Sequence, residues 1–233
     1  SISFSIGGDG SGATASGLPP GVTGNYNSGT YTISGTPTTA NTYNYTITTT
    51  GSCSSLQTTQ TGSITVEEDA TISLTSGSTS QSVCQNGSIE NIVYTLGGSA
   101  DGGNVSGLPS GISGIFANGK LTISGSSNSK GTFNYTATAT GPCASAALTG
   151  SITINQNLTP SVSIASNDSD NTICEGTSVT FTATPTNGGS SPSYQWQVNG
   201  SNAGTNSSTF TTSSLTNGQQ VTVEMTSSET CVT

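Results

Sequence analysis

Few side chains in this sequence can do chemistry. Of its 233 residues two are basic, Lys120 and Lys130, eleven are acidic, and none is histidine or arginine. Without imidazole there is no Ser-His-Asp or Cys-His relay. Zinc sites of the usual kind would need histidines or a C-x-x-C pair, and both are missing. A carboxylate pair for glycoside cleavage could be drawn from the acids, but no acid recurs on a strand-like motif. The sequence therefore offers no catalytic residues, and we expect no enzyme.

Three constellations remain. Glu67-Glu68-Asp69 and the alternating oxygens of Asn167-Asp168-Ser169-Asp170-Asn171 are the calcium candidates, with Glu67, Glu68, Asp69, Asp168 and Asp170 as ligands. The corresponding later segment reads Asn155-Gln156-Asn157, so the acidic stretch is not repeated. Solvated acids at an edge or turn are the favoured reading, and no other cofactor is expected. Tyr194, Trp196 and Phe210 could stack against a sugar, but a tryptophan in a Y-x-W strand is by default a core residue. Five cysteines complete the set: Cys53, Cys84, Cys143, Cys174 and Cys231.

The elements that position these residues follow from composition and spacing. Only 29% of the chain is hydrophobic and 6% charged, while serine and threonine exceed a third. Apolar residues alternate with threonine and serine, as in Thr42-Tyr43-Asn44-Tyr45-Thr46-Ile47 and Thr132-Phe133-Asn134-Tyr135-Thr136. β-Branched threonine suits the solvent face of a strand whose other face is buried. A net charge of −9 and a lack of clustered basic residues exclude nucleic acid as a partner. No apolar run reaches membrane-spanning length, so no direct membrane insertion is expected.

The chain also repeats itself. Residues 16–53 align without a gap to 106–143 at an offset of 90, with about half the positions identical. Gly17-Leu18-Pro19-Pro20-Gly21 meets Gly107-Leu108-Pro109-Ser110-Gly111, and Ile2 to Gly8 meets Ile92 to Gly98. Both Gly-Leu-Pro segments read as turns, with Leu18 and Leu108 tucked inward. Ser126-Ser127 stand where the first repeat has Thr36-Pro37, which marks that turn as tolerant. The last stretch diverges, although Cys174-Glu175-Gly176 still follows Cys84-Gln85-Asn86-Gly87 by 90. The expected fold is all-β: tandem immunoglobulin-like (PKD-/cadherin-like) β-sandwiches of about 90 residues. Residues 1–67 are read as a repeat lacking its N-terminal strands, 68–156 as a complete one, and 157–233 as a divergent one lacking its C-terminal end.

On this division each later repeat holds two cysteines. One disulfide per repeat is expected, Cys84–Cys143 and Cys174–Cys231, with Cys53 pairing to a cysteine before residue 1. Closing a loop of about sixty residues stabilises on the order of 4 kcal/mol in the chain-entropy model, and implies an oxidising compartment.

The order Cys…GLPxG…ISGTP…YxYT…GxC…GSITV resembles the PKD-like/immunoglobulin-like repeats of giant bacterial surface adhesins, including those of SprB-type gliding-motility filaments. The resemblance covers nearly the whole chain. It implies an extracellular filament at the cell surface, associated with the outer membrane and exported by type IX secretion. Its partners would be neighbouring repeats of the same chain and, through other parts of the parent protein, the substratum, polysaccharide or cell-surface motor components. The expected function is that of spacer repeats in a gliding-motility or attachment adhesin. The alternative is a carbohydrate- or protein-binding accessory module of a secreted protein, which would carry its aromatics exposed on loops.

Overall fold

A computed structural model of the chain describes residues 1–52 and 57–233, and among them every regular element is a strand. The strands fall into three consecutive sandwiches, each made of two facing sheets. The first comprises β1 (Ile2–Ser5), β2 (Gly10–Ser16), β3 (Val22–Asn27), β4 (Thr30–Gly35), β5 (Asn41–Gly51) and β6 (Thr59–Val66). Its sheets run β1-β4-β3 and β2-β5-β6.

The second sandwich has β7 (Thr71–Ser76), β8 (Ser80–Cys84), β9 (Ile92–Gly97), β10 (Gly102–Ser106), β11 (Ile112–Ala117), β12 (Lys120–Gly125), β13 (Gly131–Thr140) and β14 (Ala146–Asn155). One sheet is ordered β11-β12-β9-β7, the other β10-β13-β14-β8. The pairing is antiparallel except at β8, which runs parallel to β14 with Cys84 opposite Asn155. In the third sandwich β15 (Ser161–Ser166), β16 (Val179–Thr186) and β19 (Thr209–Thr212) form the sheet β15-β16-β19. Facing it is β18-β17-β20, from β17 (Ser193–Val198), β18 (Ser201–Ala203) and β20 (Val221–Thr226).

Alternation makes these sheets one-sided. In the second sandwich Ile92, Tyr94, Leu121 and Ile123 face Tyr135, Ala137, Ala139, Ile152 and Ile154 across the core, all buried. The intervening threonines face solvent and pair across strands, as Thr132 does with Thr153 at 3.0 Å. The first core is the same motif with fewer members: Tyr31, Ile33, Tyr45 and Ile47. The two Gly-Leu-Pro turns share positive φ at both of their glycines. Gly17 and Gly107 sit at φ of 78° and 82°, where a side chain would be strained and would meet a strand carbonyl, so glycine is required there. Leu18 and Leu108 pack on the edges of their cores, as expected.

The Ser126-Ser127 turn differs from expectation. Ser127 is buried; its carbonyl accepts the Asn86 N–H at 2.8 Å and its hydroxyl accepts the Ser129 N–H at 3.1 Å. Hydrogen bonding here replaces the rigidity that proline supplies in the first repeat.

One polar contact bridges the two sheets of the second core. The hydroxyls of Tyr94 and Tyr135 lie 3.0 Å apart, and Tyr135 also reaches the Thr79 carbonyl at 3.4 Å. Burial, then the hydrogen bond with Tyr94, holds the Tyr135 phenol far above its ordinary range. The neutral form is therefore favoured in the folded state, and the stability this contributes is present below the unfolded phenol's pKa of about 10 and lost as pH rises above it. Tyr135→Phe leaves the Tyr94 hydroxyl buried with one partner fewer and should cost about 1–3 kcal/mol. Urea unfolding monitored at neutral pH and above pH 10 should show that loss, together with a weaker alkaline decline than in the unsubstituted chain.

Candidate functional site

A polar and covalent construction lies where the second sandwich passes into the third. β14 ends at Asn155, beside Cys84 at the end of β8. Gln85 then ties the connecting segment down: its N–H donates to the Asn155 carbonyl at 2.9 Å, and its side-chain oxygen accepts the Asn157 N–H at 3.1 Å. The Asn157 side chain returns a bond to the Gln85 carbonyl at 3.3 Å. From the other side the C-terminal segment folds back onto the connection. Leu158 donates to the Cys231 carbonyl at 2.7 Å, Thr233 donates to Leu158 at 2.9 Å, and Leu158 and Val232 form a parallel bridge. Cys231, buried here, is disulfide-bonded to Cys84 with Cα atoms 5.5 Å apart.

This bond corrects both expected pairings. Cys84 is joined to Cys231, 147 residues away, and neither Cys84–Cys143 nor Cys174–Cys231 forms; Cys143 and Cys174 are free thiols. The reason is geometric. Cys84 lies level with Asn155 at one end of the β13–β14 hairpin, whereas Cys143 lies in its turn, between Thr140 and Ala146. At 3.4 Å per residue the ends of that hairpin are roughly 30 Å apart, and a disulfide needs Cα atoms within about 7 Å. Cys143 instead faces the preceding junction, its thiol donating to the Glu67 carbonyl at 3.8 Å. The Cys53 pairing falls outside the described residues.

The calcium candidates are placed apart from one another. Glu67, Glu68 and Asp69 are exposed at the first junction, where Asp69 accepts the Ala144 N–H at 3.3 Å. Asp168 turns inward on its own loop and accepts the N–H groups of Asp170 and Asn171 at 3.1 and 3.0 Å; Asp170 accepts that of Thr172 at 2.9 Å. These amide bonds, those at Asp170 foremost, hold the Asp168 carboxyl below the usual carboxylate range. Among the described residues no three acidic or cysteine side chains converge as a metal site would require. Asp168 and Asp170 close their own turn, and Asp69 ties the Cys143–Ala144 segment to the first junction.

Of the three aromatics, Trp196 and Phe210 pack in a core with Phe181, whereas Tyr194 is half-buried and stands outside that cluster. Trp196 is 0% exposed, its ring centroid 5.7 Å from Phe210 and 6.4 Å from Phe181, and its indole N–H donates to the Ser207 carbonyl at 2.8 Å. A cleft of about 810 Å³ opens in the third sandwich, lined by Ile164, Val179, Phe181, Val221 and Cys174 among others. In the second sandwich Ile152 and Ile154 of β14 belong to the core, and the third has no counterpart of β14 among its described strands.

No protein-family model and no curated protein matches the sequence. Solved structures do match the fold. An I-band fragment of titin aligns with a TM-score of 0.53 at 13% identity, covering 83% of this chain and 70% of the titin chain. A variant structure of three titin immunoglobulin domains aligns with a TM-score of 0.55 at 11% identity, covering 91% and 85%. The chain folds as tandem immunoglobulin-like β-sandwiches. At these identities the likeness speaks for the fold alone. The disulfide is consistent with an extracellular protein, and no helix among the described residues is long and apolar enough to cross a membrane.

The pairing has a direct chemical signature. Cleavage after glutamate should, without reduction, release residues 69–90 joined to residues 230–233, and reductant should separate them. Pairing within a repeat would instead join 69–90 to the peptide 91–175.

Proposed function

We propose that the chain is a set of spacer repeats from a long extracellular adhesive filament, with repeat boundaries at 1–67, 68–156 and 157–233. The observation that carries this reading is the disulfide across a junction. A covalent bond between the exit of one sandwich and the final residues of the next leaves little freedom at the connection, which suits a load-bearing rod. The surface supports it too. Low charge density and hydroxyl-rich strand faces suit a rod exposed along its length. Catalysis has no support in the residue inventory, with histidine and arginine absent. The cell-surface, gliding-motility and type IX secretion assignments rest on the sequence resemblance to SprB-type adhesin repeats.

The second reading, a carbohydrate- or protein-binding accessory module, is favoured by the cleft beside Cys174. A glycan array probed with this chain separates the two: no specific binding is expected of a spacer, and a micromolar dissociation constant for one glycan would overturn that view.

Force spectroscopy tests the load-bearing role. The closed loop spans 147 residues, so the oxidised chain should withhold roughly 500 Å of contour length at up to about 3.6 Å per residue. Reductant should release that length, and identical extension with and without it would contradict the proposal.

A further inference from the structure

Cys143 and Cys174, the two cysteines shown as free, occupy the same two structural positions as the bonded pair. Cys174 follows Cys84 by 90 residues and opens the same Cys-x-x-Gly-like turn: Gly87 donates to the Cys84 carbonyl at 2.9 Å, and Thr177 donates to the Cys174 carbonyl at 3.0 Å. Cys143 precedes Cys231 by 88 residues and lies in a segment that holds its own sandwich's lead-in. Ala70 donates to the carbonyl of Ala144, the residue after Cys143, at 3.0 Å, where Leu158, 88 residues on, donates to Cys231 at 2.7 Å.

The target of the Cys143 thiol completes the match. It points at Glu67, the residue after Val66, and Val66 stands to Asn41 in β6–β5 as Ile154 stands to Gly131 in β14–β13. Glu67 is thus the first sandwich's version of Asn155, the residue beside which Cys84 is anchored in the second. A strand equivalent to β8, laid along β6, would end its cysteine beside Cys143.

We propose that Cys143 and Cys174 are half-sites of an inter-repeat disulfide that recurs at every junction of an array of such sandwiches: the cysteine ending the β8-type strand of one repeat bonds the cysteine following the β13-type strand of the next. Each sandwich then carries two staples, one to each neighbour, and none within itself. Bond formation is a thiol–disulfide exchange with an oxidised dithiol protein. Two cysteine thiols lose two protons and two electrons, one S–S bond forms, and the donor's disulfide is reduced to two thiols. Cys174 is exposed and Cys143 half-exposed, so both are open to such a donor.

Insertion of a second copy of residues 68–156 after residue 156 of the full chain recreates one more junction between known halves. The extended chain should contain two disulfides, the added one joining Cys84 of the first copy to Cys143 of the second; Cys84 of the second copy should bond Cys231. Cys84→Ser in the first copy alone should make Cys143 of the second copy available to alkylation and leave the Cys231 bond intact, which also reports that the sandwiches have folded. A Cys143 that remains a thiol in the unsubstituted insertion chain, or that bonds Cys84 of its own copy, overturns the proposal.

Discussion

The β13–β14 hairpin is about ten residues long on each arm, and that length decides how the sandwiches are joined. Its length sets Cys84, on β8 beside its open end, and Cys143, in its turn, at opposite ends of one sandwich, out of bonding reach of each other. Each end is where the chain enters or leaves, so a cysteine there can meet only a neighbouring repeat. A disulfide placed this way does something an internal one cannot. An internal bond reinforces one core against its own unfolding, whereas a junction bond fixes the angle between two bodies and closes a loop of 147 residues, worth on the order of 5 kcal/mol in the chain-entropy model.

The cores explain why such help is useful. Among the described residues the core cluster of the first sandwich is Tyr31, Ile33, Tyr45 and Ile47, and the third centres on Trp196, Val179 and Ala183. The second is better filled, chiefly because β14 adds Ile152 and Ile154 and β8 covers its flank. Sandwiches of this size with serine- and threonine-rich faces have a small margin of hydrophobic stability. Hydrogen-bonded turns such as those at Ser127 and Asp168 add order at the loops without adding apolar surface.

The fold was legible in the residues because its signals are local. Strand alternation, glycine at positive-φ turns and the 90-residue offset each act within a repeat or between identical repeats. The tryptophan core was legible for the same reason. The disulfide pattern was not. A period of 90 assigns two cysteines to each repeat, and it is equally satisfied by pairing them within a repeat or by pairing each with its neighbour's. Only the positions of Cys84 and Cys143 along the hairpin choose between these, and sequence spacing does not display which end of a sheet a residue occupies. Counting strand lengths would have been the available signal: β8 leads away from the entry end, and the β13–β14 turn returns to it. The turn at Asp168 and Asp170 was legible as one of two readings, since Asn and Asp at alternate positions serve a turn as readily as an ion.

The central claim is that the Cys84–Cys231 bond makes the second and third sandwiches move as one. Backbone nitrogen-15 relaxation of the oxidised chain and of the Cys231→Ser variant measures this directly. One common rotational correlation time is expected for strands β7–β14 and β15–β20 in the oxidised chain, and separate, shorter values once the bond is absent. Equal correlation behaviour in both proteins would mean that the hydrogen bonds of Gln85, Asn157 and Leu158 hold the junction alone, and that the disulfide is not what makes the array stiff.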